Sequence, residues 1–377
     1  MTTADVVVIG GGIVGVSAAF FLAERGVGRV VLVERDTVGS GATGRAAGGI
    51  LLQGDSEESL RLQRESLALH RLFREEFGTD LEEHGSLLLW CTEDGAARAR
   101  ELLGLHHRLG IAVEILSPDD VRHRFPYLAA DGVVLATYSP DDPWATPLAT
   151  VRRLAEAART RGVEIWEHSE VVGIRGPSDG AYRVETRRGV LSTPVLVNAA
   201  GAWARRVGEM VGVPLPVSPR KRQVFVVDPG EAVPPRTPFI MEPERDFYCK
   251  RRSEGLIMVC GQTQGETLEP AVEWGYLEAA LAPTERRIPG VRGRPIVTAW
   301  AGIRPMSPDG RPLLGAVPGL PGAFVAGGLG GQGFARGPLV GRLLAELVTA
   351  GRTSMDLGPF RPDRFPTAGG GRRSDVG

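Results

Sequence analysis

The run Gly10-Gly11-Gly12-Ile13-Val14-Gly15 constrains the fold of this chain more than any other sequence feature. It follows a short apolar run at residues 5–9, typical of a buried strand, and it opens a segment at residues 13–25, typical of a helix. A second apolar run at residues 29–34 completes a β-α-β unit, which implies parallel strands and a right-handed crossover. The N-terminus is therefore predicted to begin a Rossmann-like, nucleotide-binding domain.

This glycine run also predicts what the domain binds. Gly10 permits the tight turn after the strand, and Gly12 lets the backbone approach a pyrophosphate at the N-terminus of the helix. Glu34 follows Gly10 by 24 residues, where an acceptor for ribose hydroxyls belongs. We predict that a dinucleotide contacts Gly10, Gly12, Ile13, Val14, Gly15, Glu34 and Arg35.

A second glycine-rich loop, residues 38–49, follows the second strand directly. A nicotinamide cofactor has no need of such a loop, whereas the longer flavin cofactor needs small residues and backbone N–H groups between its pyrophosphate and its ring. The loop therefore favours FAD over NAD. Its predicted contacts are Ser40, Thr43, Gly44, Arg45, Ala47, Gly48 and Gly49.

Four further segments carry a family resemblance, at residues 170–172 (EVV), 197–203 (VNAAGAW), 300–312 (WAGIRPMSPDGRP) and 327–334 (GGLGGQGF). With the two glycine loops, they make residues 4–360 resemble the FAD-dependent amine and amino-acid oxidoreductases of the D-amino-acid oxidase superfamily. Within it the sequence is most similar to the glycine oxidase, sarcosine oxidase and dimethylglycine dehydrogenase group. The resemblance implies FAD contacts at Val171, Ala200, Gly201, Trp203, Gly302, Arg304, Gly328, Gly330, Gly331, Gln332 and Gly333.

Some relatives tether FAD through a cysteine near the 300–312 segment or a histidine in the second glycine loop. Neither residues 295–340 nor residues 38–50 contain Cys or His, and Arg45 stands about where the tethering histidine would be. The resemblance therefore implies FAD that is bound non-covalently. The helix that begins near residue 335 is expected to stabilise the negative charge of the reduced flavin through its N-terminus.

Three residues are candidates for substrate contact. By resemblance, Arg304 binds a substrate carboxylate, and a guanidinium offers the bidentate fork that such a group requires. Its alternative is a structural pair with Asp309. Arg336 is a second candidate for the carboxylate, or an ordinary charge in the first turn of a helix. Tyr248 is expected to place its hydroxyl over the substrate, or to be a core aromatic, since a register slip of one residue would exchange the faces of its strand.

The implied reaction is oxidation of the C–N bond of a glycine, sarcosine, proline or D-amino-acid type of substrate. Hydride would pass to flavin N5, the resulting imine would hydrolyse, and O2 or another acceptor would take the electrons. Three alternatives remain open. The chain could be a dehydrogenase that passes electrons to a quinone or another flavoprotein. It could be the FAD-bearing subunit of a multi-subunit amine dehydrogenase or oxidase, or a flavoprotein assembly factor without turnover.

Length, charge and cysteine content indicate the number of domains, the expected partners and the location of the chain. The 377 residues suggest two domains, and a net charge of -1 gives no reason to expect nucleic acid. No apolar run is long enough to span a membrane, and three scattered cysteines suit the cytoplasm. A homo- or hetero-oligomer remains open.

We predict an α/β fold, α+β overall, in which a Rossmann-like FAD-binding domain is interleaved with a smaller domain built on a mixed antiparallel sheet. The FAD-binding domain is assigned to residues 1–50, 145–215 and 295–365. The substrate-binding domain is assigned to residues 51–144 and 216–294, and residues 366–377 to a flexible tail. Among individual elements, a hairpin at 170–188, a strand near 222–227 and a helix at 272–287 are expected.

Overall fold

The computed structural model describes residues 2–261 and 263–365, so the predicted tail at 366–377 lies outside the described residues. The strands of the described residues are, in chain order, β1 (Thr2–Thr3), β2 (Val6–Ile9), β3 (Val30–Val33), β4 (Glu82–Glu83), β5 (Ser86–Trp90), β6 (Glu114–Leu116), β7 (Leu135–Ser139), β8 (Pro143–Trp144), β9 (Glu164–Trp166), β10 (Val171–Ser178), β11 (Ala181–Thr186), β12 (Gly189–Thr193), β13 (Val195–Asn198), β14 (Ser218–Val227), β15 (Phe239–Glu242), β16 (Phe247–Arg252), β17 (Gly255–Cys260), β18 (Ile296–Met306), β19 (Leu313–Ala316) and β20 (Ala323–Gly327).

The α-helices of the same residues are α1 (Ile13–Glu24), α2 (Glu57–Phe77), α3 (Glu93–Arg108), α4 (Pro118–Arg124), α5 (Pro147–Thr160), α6 (Ala204–Met210), α7 (Leu277–Arg287) and α8 (Gly333–Ala350). None of the helices in the described ranges combines the length and the apolar character that a bilayer crossing requires.

The predicted β-α-β unit is confirmed and lies at the centre of a six-stranded sheet. Its strand order is β19-β20-β13-β2-β3-β9. The five strands from β20 to β9 are parallel, and β19 pairs antiparallel with β20 at the edge. Helix α1 is apolar on all sides because it is enclosed between this sheet and the helices α5 and α8.

The second large sheet has more strands and is mixed. Its eight strands have the order β18-β14-β17-β16-β15-β5-β7-β6, and all neighbouring pairs are antiparallel except β15 with β5. Helix α3 packs on β5 and β7, and helix α2 packs against α8. The α/β fold with a second, mixed sheet is therefore as expected from the sequence.

Several elements differ from the sequence expectations. The 170–188 hairpin gains a third strand, β12, and joins a four-stranded sheet, β1-β12-β11-β10. Helix α7 begins at Leu277 rather than 272, because residues 274–276 form a 3-10 turn. Strands β15 and β19 are not expected from the sequence, and β14 begins at Ser218, earlier than 222.

The chain alternates between the two large sheets. Residues 6–33, 164–166, 195–198 and 313–327 supply the six-stranded sheet, while residues 86–139 and 218–306 supply the eight-stranded one. Strand β18, placed by the sequence analysis in the 295–365 segment of the FAD-binding domain, pairs with β14 of the eight-stranded sheet. The division into two domains otherwise stays a prediction.

Candidate active site

A cavity of about 1070 Å³ lies between the two large sheets. Its wall contains the N-terminal ends of α1 and α8, the second glycine loop, and the face of the eight-stranded sheet that includes Tyr248 and Arg304. None of the three cysteines of the chain lines it. The position of the cavity at the carboxyl ends of β2 and β3 is where α/β sheets bind their ligands.

The first end of the cavity is built around Glu34. One Glu34 carboxylate oxygen accepts a hydrogen bond from Gly11 N at 2.7 Å, and the other accepts one from Asp36 N at 2.9 Å. These bonds fix the carboxylate at the end of β3. The Arg35 guanidinium stacks on the indole of Trp203, 3.6 Å from the ring centroid, and closes the same end of the cavity.

The middle of the cavity is a cradle of backbone groups. Helix α1 begins without a side-chain cap at Gly12, and the Ile13 N–H donates to Thr43 Oγ1 at 3.1 Å. Gly10 has a φ of 113°, and a Cβ there would lie 2.5 Å from the Ala199 carbonyl oxygen. The chain passes too closely there for any residue larger than glycine. The first N–H groups of an α-helix have no partner within the helix, and Gly12, Ile13 and Val14 at the start of α1 line the cavity.

The second glycine loop forms the wall next to this cradle. Its Arg45 guanidinium donates to the Ser40 carbonyl and, at 3.2 Å, to the Gly41 carbonyl, so this side chain holds the loop together. The Arg45 carbonyl in turn accepts a hydrogen bond from Trp300 Nε1 at 3.0 Å, which ties the loop to β18.

Most of the residues expected to contact a cofactor line this one cavity, although they come from distant parts of the sequence. They are Gly10, Gly12, Ile13, Val14, Glu34, Arg35, Ser40, Thr43, Arg45, Ala47, Gly48, Gly49, Val171, Ala200, Gly201, Trp203, Gly302, Arg304, Gly330, Gly331, Gln332 and Gly333.

Three expected contacts do not line the cavity. Gly15 lies behind Gly10, and a Cβ on Gly15 would be 2.0 Å from the Gly10 carbonyl oxygen. Gly44 packs on the Gly39 carbonyl, and Gly328 packs on Ser307. These glycines support the wall from behind, where only a hydrogen atom fits.

Arg304 lines the far end of the cavity. Its guanidinium lies over Gly331, so close that a Cβ there would be 2.9 Å from Arg304 Cζ. Burial lowers the pKa of this guanidinium, against an opposing contribution from the Tyr248 hydroxyl beside it. Among the described residues, no carboxylate forms an ion pair with Arg304. The alternative pairing with Asp309 is wrong, because Arg364 binds that carboxylate at 2.9 Å.

Tyr248 lies in β16 with its side chain in the cavity wall. Its ring stacks on Phe239, with 4.9 Å between the ring centroids, and the ring is 9% exposed. The expected register therefore brings Tyr248 and Arg304 to the same end of the cavity, although Tyr248 also has the packing of a core aromatic.

Arg336 is also in the cavity wall, but two of its three side-chain nitrogens already have partners. Its Nε donates to Gln63 Oε1 at 3.1 Å, and Nη2 donates to the Ser59 hydroxyl on α2. Burial lowers its pKa to about 10. The side chain thus joins the start of α8 to α2, with Asp55 as the charged residue nearby.

A further charged pair at this end is not predicted by the sequence. Arg222 on β14 is 4% exposed and binds Asp246 through both terminal nitrogens, with 2.8 Å between Nη2 and Oδ1. Asp246 is about half exposed and adopts the left-handed conformation, with a φ of 48°. The only sequence signal for this pair is a run of three basic residues, Arg220-Lys221-Arg222, in a strand that ends in four apolar residues.

One buried histidine supports the site from behind. His70 on α2 contacts the Phe334 carbonyl at 3.3 Å, next to the start of α8. Burial lowers its pKa to about 4, so it is neutral near pH 7. Another histidine, His106, lines the cavity, and its Nε2 contacts the Gly54 carbonyl at 2.8 Å. Neither histidine lies in one of the sequence motifs.

Comparison with known proteins decides the family. The model of the DAO family, described as FAD dependent oxidoreductase, matches residues 5–347. The chain belongs to this family. Glycine oxidase of Geobacillus kaustophilus (strain HTA426) is 33% identical over 365 residues, which cover 94% of this chain and 96% of that protein. This DAO family member is thus an enzyme, an FAD-dependent oxidoreductase, and FAD is its cofactor.

Solved structures of the family agree with this assignment. L-proline dehydrogenase from P. horikoshii superimposes with a TM-score of 0.91 at 28% identity, covering 97% of this chain and 98% of that one. Glycine oxidase from Geobacillus kaustophilus gives a TM-score of 0.87 at 31% identity, covering 97% and 100%. Mitochondrial sarcosine dehydrogenase of Mus musculus is 29% identical, and this chain spans 42% of its length.

The cavity fits FAD. Glu34 suits the ribose hydroxyls and the Gly10–Ile13 backbone suits the pyrophosphate. The second glycine loop with residues 302–304 and 330–334 leaves the other end for the flavin ring. The start of α8 faces that end without a side-chain cap and with no acidic residue in its first turn. Its free N–H groups therefore suit the negative charge of a reduced flavin.

Proposed function

We propose that this chain oxidises the C–N bond of an amine that carries a carboxylate, an amino acid or an N-alkyl amino acid. The observation that carries the proposal is Arg304. It is a cation enclosed in the cavity wall, without an ion-pair partner among the described residues. A buried charge of this kind is costly unless an anion compensates it, and a substrate carboxylate is such an anion.

The residues around Arg304 support a division of roles. The guanidinium binds the carboxylate, and the Tyr248 hydroxyl offers a further hydrogen bond to it or to the amine. The amine then binds as the neutral base, with its α-hydrogen towards the flavin. FAD bound in the cavity would supply the hydride acceptor, and the neutral amine would become an iminium ion, which water would hydrolyse to a carbonyl compound, ammonia or an amine, and a proton.

No general base is assigned, because loss of hydride from a neutral amine does not require one. The contribution of the protein is then position and electrostatics. His70 does not fill that role, since its ring contacts a backbone carbonyl and lies behind the wall.

The test is anaerobic reduction of the bound flavin by a panel of amino acids, N-methyl amino acids and amines without a carboxylate. Carboxylate-bearing amines should bleach the flavin absorbance, and the matched simple amines should not. Arg304→Met should raise KM for the active substrates at least about a hundredfold, since a bidentate charged contact contributes about 3 kcal/mol or more. If the simple amines react as fast, or Arg304→Met leaves KM unchanged, the proposal fails.

The electron acceptor and the assembly state are separate parts of the proposal. Glycine oxidase and L-proline dehydrogenase are both similar over nearly the whole chain, so an oxidase and a dehydrogenase are both represented among its relatives. Hydrogen peroxide release in air, compared with turnover by an artificial acceptor, separates the two. A hetero-oligomer would purify with a second chain. A cytoplasmic location stays a prediction from the sequence.

A further inference from the structure

The cavity continues past Tyr248 along the face of the eight-stranded sheet. Tyr248 on β16 pairs with Met241 on β15, Met241 pairs with Leu88 on β5, and Leu88 pairs with Thr137 on β7. Directly paired residues point to the same face of a sheet, and all four line the cavity. Because neighbouring strands lie about 4.8 Å apart, Leu88 is about 10 Å from Tyr248 across the sheet.

This row runs away from Arg304. Strand β18, which holds Arg304, lies on the opposite side of β16 from β15 and β5. A carboxylate held by Arg304 therefore leaves the rest of a bound molecule free to extend along Met241 and Leu88.

The extension ends in an apolar chamber, which we define by Leu88, Trp90, Ala99, Leu102 and Met241. Ala99 and Leu102 come from α3, which covers this part of the sheet. Leu88, Trp90, Ala99 and Leu102 are each less than 10% exposed. The polar atom of Trp90 is already satisfied, because its Nε1 donates to Thr137 Oγ1 at 3.1 Å. These five side chains present mainly carbon atoms to whatever enters the chamber, while Gln53, Thr137 and His106 also line the cavity.

We propose that this chamber receives a large apolar group of the substrate, so that the enzyme prefers an amino acid with a branched aliphatic or aromatic side chain to glycine or sarcosine. This inference rests on the proposed function, which places the substrate carboxylate at Arg304. Arg304 at one end and the apolar chamber at the other favour a substrate that has a carboxylate at one end and an apolar group at the other. Each methylene that enters it should raise kcat/KM about fourfold.

The experiment measures anaerobic flavin reduction in the holoenzyme with glycine, alanine, leucine and phenylalanine. Both enantiomers are included, and N-alkyl glycines form a second arm. We expect kcat/KM to rise with the size of the apolar group, by at least about thirtyfold from glycine to leucine. The N-alkyl arm shows whether the group enters from the α-carbon or from the nitrogen.

Two variants and a matched control locate the effect. Ala99→Phe fills the chamber and should lower kcat/KM for leucine at least tenfold more than for glycine. Met241→Ala enlarges it and should shift the preference towards phenylalanine. Ala97→Phe adds the same group to the exposed face of the same helix and should change neither ratio. Melting temperature and FAD content show whether each variant is folded.

A second readout separates this inference from the proposed function. Acetate and 4-methylpentanoate are carboxylates without an amine, and their binding is followed through the flavin spectrum. The chamber predicts that 4-methylpentanoate binds at least tenfold more tightly, and that Ala99→Phe removes the difference. If no amine reduces the flavin while this difference holds, the proposed function fails and the chamber stands. Equal binding of the two acids, or a wild-type preference for glycine, overturns the chamber.

Discussion

We expect the Arg222–Asp246 pair to determine whether Arg304 is available to a substrate. Asp246 is the carboxylate whose charge acts on both Arg222 and Arg304, and Arg222 binds it with both terminal nitrogens. Replacing Arg222 with methionine leaves Asp246 without that partner, beside the cation that we assign to the substrate. We expect Asp246 then to pair with Arg304 and to compete with the substrate carboxylate.

The size of the rise in KM depends on how strongly Asp246 would pair with Arg304. A hydrogen bond between charged groups contributes about 1.5–3 kcal/mol. Because Asp246 is about half exposed, solvent screening reduces this to about 1–2 kcal/mol. Since about 1.4 kcal/mol corresponds to tenfold in affinity, Arg222→Met should raise KM about five- to thirtyfold while kcat changes little.

The assay is steady-state kinetics of Arg222→Met and of the double variant Arg222→Met/Asp246→Asn. The double variant lacks the competing carboxylate, so its KM should return to within about threefold of wild type. If Arg222 had only a structural role, the double variant would keep the raised KM, because removing a second polar partner would not repair a packing defect. A double variant with the KM of the single variant would refute the reasoning.

Three further predictions concern the cofactor and the stability of the fold. Glu34→Ala should weaken FAD binding at least about tenfold, measured by titration of the apoprotein, because the carboxylate suits the ribose and fixes the loop backbone. Gly48→Ala should lower the free energy of unfolding by about 2 kcal/mol or more, since φ is 89° and the new Cβ would lie 2.0 Å from the Ala145 carbonyl oxygen. Gly41→Ala, with no atom within 4 Å of its Cβ, is the control for that denaturation experiment and should be nearly neutral. Lys250 is buried, and burial lowers its pKa to about 7 from the usual 10.5, so the free energy of unfolding should rise by about 1.4 kcal/mol per pH unit between those values. Lys250→Met should remove this rise; denaturation curves at several pH values in which the variant keeps the wild-type slope would contradict the assignment.

The nucleotide-binding part could be predicted from the sequence because its signals are local. The β2-α1-β3 unit is specified by a run of apolar residues, a glycine turn and a second apolar run, all within one continuous segment. Glu34 follows at a fixed spacing from Gly10, so its role needs no knowledge of the rest of the chain.

The eight-stranded sheet was harder to predict because its pairings join distant segments. Strand β15 has four residues and is followed at once by Pro243, so it offers too short an alternation to recognise. Of its two neighbours in the sheet, β5 lies far before it in the sequence and β16 follows it. Strand β19 is similarly short and contains a glycine.

The ion pairs of the site show the same limit. Asp309 is close to Arg304 in sequence, yet Arg364 from the C-terminal part of the described chain binds it. Arg222 and Asp246 lie in a strand and a turn whose contact depends on the order β14-β17-β16. The sequence identifies the charged side chains, but the order of the strands in the sheet determines which of them form pairs.

The alternation of the chain between the two sheets has a consequence for how such enzymes diversify. The two parts of the eight-stranded sheet, residues 86–139 and 218–306, are separated along the chain by residues 164–166 and 195–198 of the other sheet. A recombination event that exchanged one segment between relatives would therefore separate strands that must pair, such as β15 and β5. We therefore expect new substrate ranges in this architecture to arise by individual substitutions on the cavity face of the sheet and not by the exchange of modules.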